Sequence, residues 1–197
     1  MKPSYNYMPP DQFSKVIEAI PLLHIRKWKD EQIEFLFKCA YYLALRPTEA
    51  AKLQAESFDL DLKRVYLGKT KTEKAGLSII PAPFVPEIDI YLIGKEGALF
   101  PGVNRFIIDN WTRRLGKILS IKAWTTPQSV SGEKTRGHIF RKSMAKNMFY
   151  GEVEGKEGQK APLTFVMKQL RHKKIATTFE YLKVGEEDLK DWWASES

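Results

Sequence analysis

From residue 13 onward the apolar positions recur with the period of a helix. Phe13, Val16, Ile17 and Ile20 fall at i, i+3, i+4 and i+7, one stripe along a helix face. Asp11 stands ahead of that stripe as a candidate cap. A second stripe, Ile33, Leu36, Phe37, Ala40 and Ala44, predicts a helix that Asp30 caps and that runs to residue 45. Pro47 suits a helix start, where a missing N–H costs nothing. Residues 48–54 are therefore expected to form a short helix with Glu49 in its first turn. At Phe58 the period changes to two. Residues 58–62 alternate, 64–67 (Arg-Val-Tyr-Leu) read as a strand, and 77–81 read as its return, with a polar, basic connector at 69–76 between them. Pro81, Pro83 and Pro86 end this hairpin, which can belong to a three-stranded sheet. Helical texture returns at 85–93. Asn104 can cap a stripe of Ile108, Trp111, Leu115, Ile118 and Leu119. Residues 125–137 read as loop, 138–150 as helix, 151–160 as an exposed glycine- and charge-rich insert, and 163–170 and 175–182 as short helices. Leu189, Trp192 and Trp193 give one apolar face to a tail helix over 186–197. Residues 1–10, with Pro3, Pro9 and Pro10, read as a lead-in. The sum is an α+β fold, mostly helical, with one small antiparallel sheet, in a single domain over 1–197.

Composition adds a partner. At 197 residues the chain supports one substantial core, and its 43% apolar and 28% charged content is that of an ordinary globular protein. The net charge of +8 favours a polyanion, of which nucleic acid is the commonest. Cys39 is the sole cysteine, which excludes a disulfide framework and a cysteine metal cluster; it lies in an apolar helical run as a small buried hydrophobe. No stretch of about 18 apolar residues and no basic-then-apolar leader is present, so no membrane partner is expected. The expected location is the cytoplasm, on the nucleoid if the chain binds DNA.

The last third carries the chemistry. His138-Ile139-Phe140-Arg141 puts an imidazole and a guanidinium on one helix face, because i and i+3 are neighbours. Leu170-Arg171-His172 follows, and Tyr181 stands nine residues beyond His172. Far upstream, Leu45-Arg46-Pro47-Thr48-Glu49 supplies another arginine at a helix boundary. Two guanidiniums, two imidazoles and a phenol form a kit for attack of a tyrosine on a phosphodiester. A phenol with a pKa of about 10 must lose its proton as it attacks. The pentavalent phosphorane gathers negative charge that planar, permanently charged guanidiniums grip well. The departing sugar oxygen needs a general acid. On that logic Arg46 and Arg141 clamp the phosphate, His138 assists the proton leaving Tyr181, and His172 bonds a non-bridging oxygen. Lys71, at the hairpin tip, delivers the leaving-group proton, with Lys69 and Lys74 as alternatives, and Glu49 orients Arg46.

These residues resemble the tyrosine recombinase (phage integrase) family over nearly the whole chain. The Leu-Arg-Pro-Thr-Glu box, the basic hairpin, the His-x-x-Arg box and the Leu-x-His box with its tyrosine occur in the family's order. The resemblance implies a largely helical catalytic domain with a small sheet. It implies a 3′-phosphotyrosyl link at Tyr181 with release of a 5′-hydroxyl, reversed by a 5′-hydroxyl of another strand. Bond energy is kept in the phosphotyrosine, so no cofactor, ATP or metal is implied. The implied partners are double-stranded DNA and further copies of the chain, as a tetramer on DNA, with the isolated domain monomeric. Type IB topoisomerases use a similar residue set to relax DNA, and a DNA-binding module without catalysis is a third alternative.

Three departures accompany the resemblance. Arg171 stands where the family has glycine in Leu-Gly-His; if that glycine serves an unusual backbone angle or close packing, a local rearrangement is expected. The segment 151–160 lengthens the gap between His138 and His172, and the long hairpin makes the lysine ambiguous. Family members also usually carry a core-binding domain ahead of the catalytic one, so a fragment of a longer protein is expected, with a naturally short member as the alternative. Lys173-Lys174 can contact phosphates, and Trp192 and Trp193 either seal the domain or dock on a neighbouring subunit.

Overall fold

The computed structural model describes residues 8–68, 76–125, 137–153 and 156–182. The order of elements is α1 (Pro10–Glu18), α2 (Asp30–Tyr42), α3 (Pro47–Ala50), β1 (Phe58–Asp59), β2 (Arg64–Leu67), β3 (Gly76–Ile79), α4 (Val85–Leu92), α5 (Arg105–Ile118), α6 (Lys122–Thr125), α7 (His138–Tyr150), α8 (Leu163–Gln169) and α9 (Ile175–Leu182). Short 3-10 turns precede α2, β1 and α4. The strands form one antiparallel sheet in the order β1-β2-β3, with Val65 opposite Ser78 and Tyr66 opposite Leu77. A helical domain with one small sheet is thus the fold, as the periodicities predict.

The core lies between α2 and α7. Helix α2 buries Ile33, Phe35, Leu36, Phe37, Cys39, Ala40 and Tyr41, more than one face of it. Phe37 stacks on Phe140 of α7 with centroids 4.7 Å apart, and Phe13 stacks on Tyr41 at 3.8 Å. Helix α7 is buried nearly all round although it carries polar residues, and Ser143 and Asn147 bond inside the protein. Ser143 Oγ accepts the Met8 N–H at 2.7 Å, and Asn147 Nδ2 donates to the Met8 carbonyl at 3.0 Å and to the Tyr41 hydroxyl at 2.6 Å. The end of the expected lead-in is therefore part of the fold: Met8 is fully buried and α1 starts at Pro10.

Helix ends correct several sequence boundaries. Asp11 and Asp30 are not caps; α1 and α2 start at Pro10 and at Asp30 itself, which puts both carboxylates in the first turn, where they complement the helix dipole. Asn104 does cap α5, accepting the amides of Phe106 and Ile107 at 3.0 and 3.1 Å. Helix α2 stops at Tyr42, not at 45, because Ala44 turns left-handed (φ 48°). Its N–H returns to the Tyr41 carbonyl and that of Leu45 to the Ala40 carbonyl, the paired closure that usually takes a glycine. The helix expected over 48–54 is shorter, α3 alone, and β1 is only two residues long. Residue 125, where a loop is expected to begin, still belongs to a short helix, α6, and the rest of that expected loop up to 136 lies outside the described residues. The expected insert begins at a buried residue. Gly151 (φ 75°) ends α7, and a Cβ there would stand 3.0 Å from the Gly158 backbone; residues 156–160 are exposed. The hairpin tip with Lys69, Lys71 and Lys74, and the tail with Trp192 and Trp193, lie outside the described residues.

Candidate functional site

Three chain segments meet where α2, α7 and α8 come together: the turn from Ala44 to Glu49, the first turns of α7, and the turn from α8 into α9. Gly137 sets the approach of the first two. A Cβ at that position would stand 2.9 Å from both Pro47 Cγ and Ile108 Cγ2, so only glycine lets α7 start against the head of α3. Its N–H donates to Asp109 Oδ1 at 2.7 Å. His138, partly buried, is the first residue of α7, and Arg141 follows one turn on, almost fully buried.

Glu49 is the hub. Its Oε1 accepts Arg46 Nη1 at 2.7 Å, and its Oε2 accepts the Arg46 backbone N–H at 2.7 Å and Arg171 Nη2 at 2.5 Å; Arg141 Nη1 lies 3.9 Å from that same oxygen. The carboxylate side chain is 6% exposed, against 27% for Arg46, 10% for Arg171 and 2% for Arg141. Burial alone would push its carboxyl up, but Arg171, the Arg46 amide, Arg141 and the Arg46 side chain together hold it below the usual carboxylate value. Three cations against one anion leave a net positive site, which suits an anionic ligand. Glu49 thus bonds Arg46, as the sequence suggests, and also reaches Arg171, which the sequence does not suggest.

Arg141 is held from behind. Its Nη1 donates to the Ala44 carbonyl at 2.7 Å and its Nη2 to the Leu170 carbonyl. Burial, then the neighbouring Arg171, lower its pKa to about 10, so it is still charged at neutral pH. Carbonyls released by the ends of α2 and α8 therefore serve as its anchors, a favourable place for a cation.

Arg171 answers the question its presence raises. It occupies the position after the cap of α8 with φ 55°, its N–H returns to the Lys168 carbonyl at 2.9 Å and that of His172 to the Met167 carbonyl at 3.0 Å. This is the same paired closure as at Ala44, and it explains why glycine suits the position. The left-handed turn is made with an arginine in place of a rearranged backbone, at a cost of roughly 1 kcal/mol.

That turn presents His172. Its Nδ1 lies 3.1 Å from Thr178 Oγ1, and its ring stands edge-on to Tyr181 with centroids 5.4 Å apart. The Arg141 guanidinium lies 6.0 Å from the Tyr181 ring. Burial first, then Arg141, Arg46 and Arg171, lower the His172 pKa to about 4, which leaves the imidazole neutral at physiological pH. Arg46, Glu49, Arg141, His172 and Tyr181 are thus brought together from three parts of the chain, with His138 at the head of α7; Lys71 falls outside the described residues. Lys173 and Lys174 are exposed beside the turn.

Three contributors escaped the sequence reading. Gln169, the last residue of α8, bonds Ser78 Oγ, the Ile79 carbonyl and the Ile79 N–H at 3.0, 3.0 and 3.2 Å, and Ser78 donates to the Leu43 carbonyl at 2.7 Å. They fix the sheet to the turns that carry Arg46 and His172. Both are ordinary polar residues, and only their burial in the folded chain marks them. Thr178 is the third, and its spacing from His172 gives no local signal.

No protein-family model and no curated protein matches the chain. Solved structures do. The XerA recombinase superposes with a TM-score of 0.68 at 19% identity, over 96% of this chain and 64% of that one. The XerH site-specific recombinase bound to its difH substrate gives 0.67 at 17% identity, over 95% and 52%. The catalytic domain of bacteriophage HP1 integrase gives 0.63 at 15% identity, over 93% and 90%. The chain spans about two thirds of the first and half of the second, and nearly all of the third. Its fold is that of a tyrosine recombinase catalytic domain.

Proposed function

We propose that the chain is the catalytic domain of a site-specific DNA recombinase or integrase that cuts and rejoins strands through Tyr181. The observation that carries this reading is the convergence of Arg141 and His172 on the Tyr181 ring, with Glu49 tying Arg46 into the same cluster. The likeness to recombinases and integrases, some solved with DNA substrates, supports the same reading.

In the proposed reaction the scissile phosphate lies against Arg46 and Arg141, whose remaining N–H groups bond its non-bridging oxygens. The Tyr181 oxygen attacks phosphorus as its proton passes toward His138. The P–O bond to the 5′ sugar oxygen breaks, and that oxygen takes a proton from Lys71, with Lys69 and Lys74 as the alternatives. The product is a 3′-phosphotyrosyl link and a free 5′-hydroxyl. Attack by a second 5′-hydroxyl reverses each transfer and restores the phenol, so bond energy is conserved. His172 enters as a neutral donor. With Thr178 donating its hydroxyl proton to Nδ1, Nε2 carries the hydrogen and bonds a non-bridging oxygen, adding a dipole to a site already rich in charge. No residue role requires a cofactor or metal.

The proposed partners are double-stranded DNA and, for exchange between two duplexes, further copies of the chain in a tetramer. No helix among the described residues is long and apolar enough to cross a membrane. Cytoplasmic work on DNA is part of the proposal.

The test is a nicked suicide substrate, drawn from a pool of sequences, incubated with wild-type protein and with Tyr181→Phe. A denaturation-resistant adduct with the wild type, lost in the variant while DNA binding persists, is expected. An adduct that survives in Tyr181→Phe removes Tyr181 as nucleophile; relaxation of a plasmid with no recombination site would favour a topoisomerase instead.

A further inference from the structure

We infer that Arg171 is a positioning residue that locks Arg46 and Arg141 into one rigid anion receptor and ties the base of the β2–β3 hairpin to it. The inference rests on the functional reading above and extends it to a residue that reading leaves without a task. Arg171 shares an acceptor with each of the two arginines. Glu49 Oε2 takes its Nη2 at 2.5 Å while the same carboxylate holds Arg46, and the Ala44 carbonyl takes its Nη2 at 3.4 Å while holding Arg141 at 2.7 Å. Its Nη1 returns to the Gln169 carbonyl at 3.0 Å, so the fork spans the turn after α2, the head of α3 and the end of α8. The stem of the side chain crosses Gly76: Arg171 Cδ lies 3.0 Å from where a Cβ at that residue would stand. Gly76 is the first residue of β3, where the hairpin bearing the candidate lysines re-enters the sheet.

A lysine could supply the charge but not the fork, because a guanidinium holds several acceptors in a fixed plane and an ammonium does not. The backbone strain also argues for a specific task. Position 171 favours glycine, yet it carries a long side chain that is nine-tenths buried and closes on a shared carboxylate. Without it, Glu49 keeps Arg46 but loses its bond to the His172 turn. The Ala44 carbonyl keeps Arg141, but the two arginines are then no longer bridged by a third.

Wild-type chain, Arg171→Gly and Arg171→Lys are compared for the rate of covalent adduct formation, for DNA affinity, and for the guanidinium NMR resonances of Arg46 and Arg141. Glycine suits the left-handed backbone, so Arg171→Gly is expected to fold and to bind DNA with affinity little changed. Its adduct rate should fall on the order of 100-fold, the scale for a displaced catalytic group. Arg171→Lys, which keeps both charge and backbone strain, is expected between the two. The Arg46 and Arg141 guanidinium resonances are expected to be resolved in the wild type and to broaden in Arg171→Gly. An unchanged rate with unchanged resonances in Arg171→Gly overturns the inference, as does full activity in Arg171→Lys. Absence of any adduct with the wild type overturns the recombinase reading instead, and the guanidinium resonances then decide the positioning role without reference to activity.

Discussion

Replacing Glu49 with glutamine removes one negative charge and almost no volume from the centre of three arginines. In the wild type the carboxylate is 6% exposed and bonds Arg46 and Arg171 at 2.7 and 2.5 Å, with Arg141 at 3.9 Å. At an effective dielectric of about 20, a single pair of charges with centres about 4 Å apart interacts by about 4 kcal/mol, before desolvation is counted. Removing one member of a buried pair costs about 3–5 kcal/mol, because the remaining charges stay buried without compensation. For a chain of this size each kcal/mol lowers the melting temperature by roughly 2–4 °C, so a drop of about 10 °C is expected for Glu49→Gln. Thermal unfolding followed by circular dichroism reads it. The double variant Glu49→Gln/Arg171→Gly should recover part of the loss, with a coupling of about 1–3 kcal/mol, since it removes one of the stranded cations. Melting within about 2 °C of wild type, or strict additivity of the two changes, would refute the claim that Glu49 neutralises this cluster.

Gly137→Ala should lower stability by about 1–3 kcal/mol, because the new methyl meets Pro47 and Ile108 at 2.9 Å; an unchanged melting temperature would mean that α7 and α3 do not abut as described. The His172 imidazole should stay neutral from pH 8 to pH 5, with a proton NMR midpoint near its lowered pKa of about 4, whereas a midpoint near 6.5 would contradict the described surroundings. Because the unfolded chain binds that proton first, the stability gained from a neutral His172 is complete above about pH 6.5 and is lost as pH falls toward 4. Wild type should thus lose more stability than His172→Gln across that window. DNA affinity should fall steeply with salt, by about 0.9 log units per tenfold rise for each phosphate neutralised, and a flat response would count against a basic contact surface.

Local signals carried much of this structure. Glycines at 137 and 151 bracket α7, and the residues between them are read as a helix with the same limits. Asn104 marks its helix because a side-chain cap is a local bond. The site boxes were readable for a different reason: their residue types suit the proposed phosphoryl chemistry, and their order along the chain resembles that of a known family. What escaped was tertiary. Ala44 and Arg171 take left-handed angles that neither residue type advertises, so the end of α2 was misplaced and Arg171 read as an anomaly. Gln169 and Ser78 meet only because β3 packs on α8, and Met8 is buried only because Ser143 and Asn147 of α7 receive its backbone.

The amide of Gln169 has a further consequence, for solubility. β3 is an edge strand of a three-stranded sheet, and Leu77 and Ile79 on it are exposed at 37% and 39%. Such an edge offers free N–H and C=O groups to any passing strand. At Ile79 both groups are already taken by one side chain, which imitates a neighbouring peptide and closes the edge there. A change such as Gln169→Leu would therefore do more than loosen α8 from the sheet. It would reopen a template for intermolecular pairing, and its first symptom would be turbidity at high concentration.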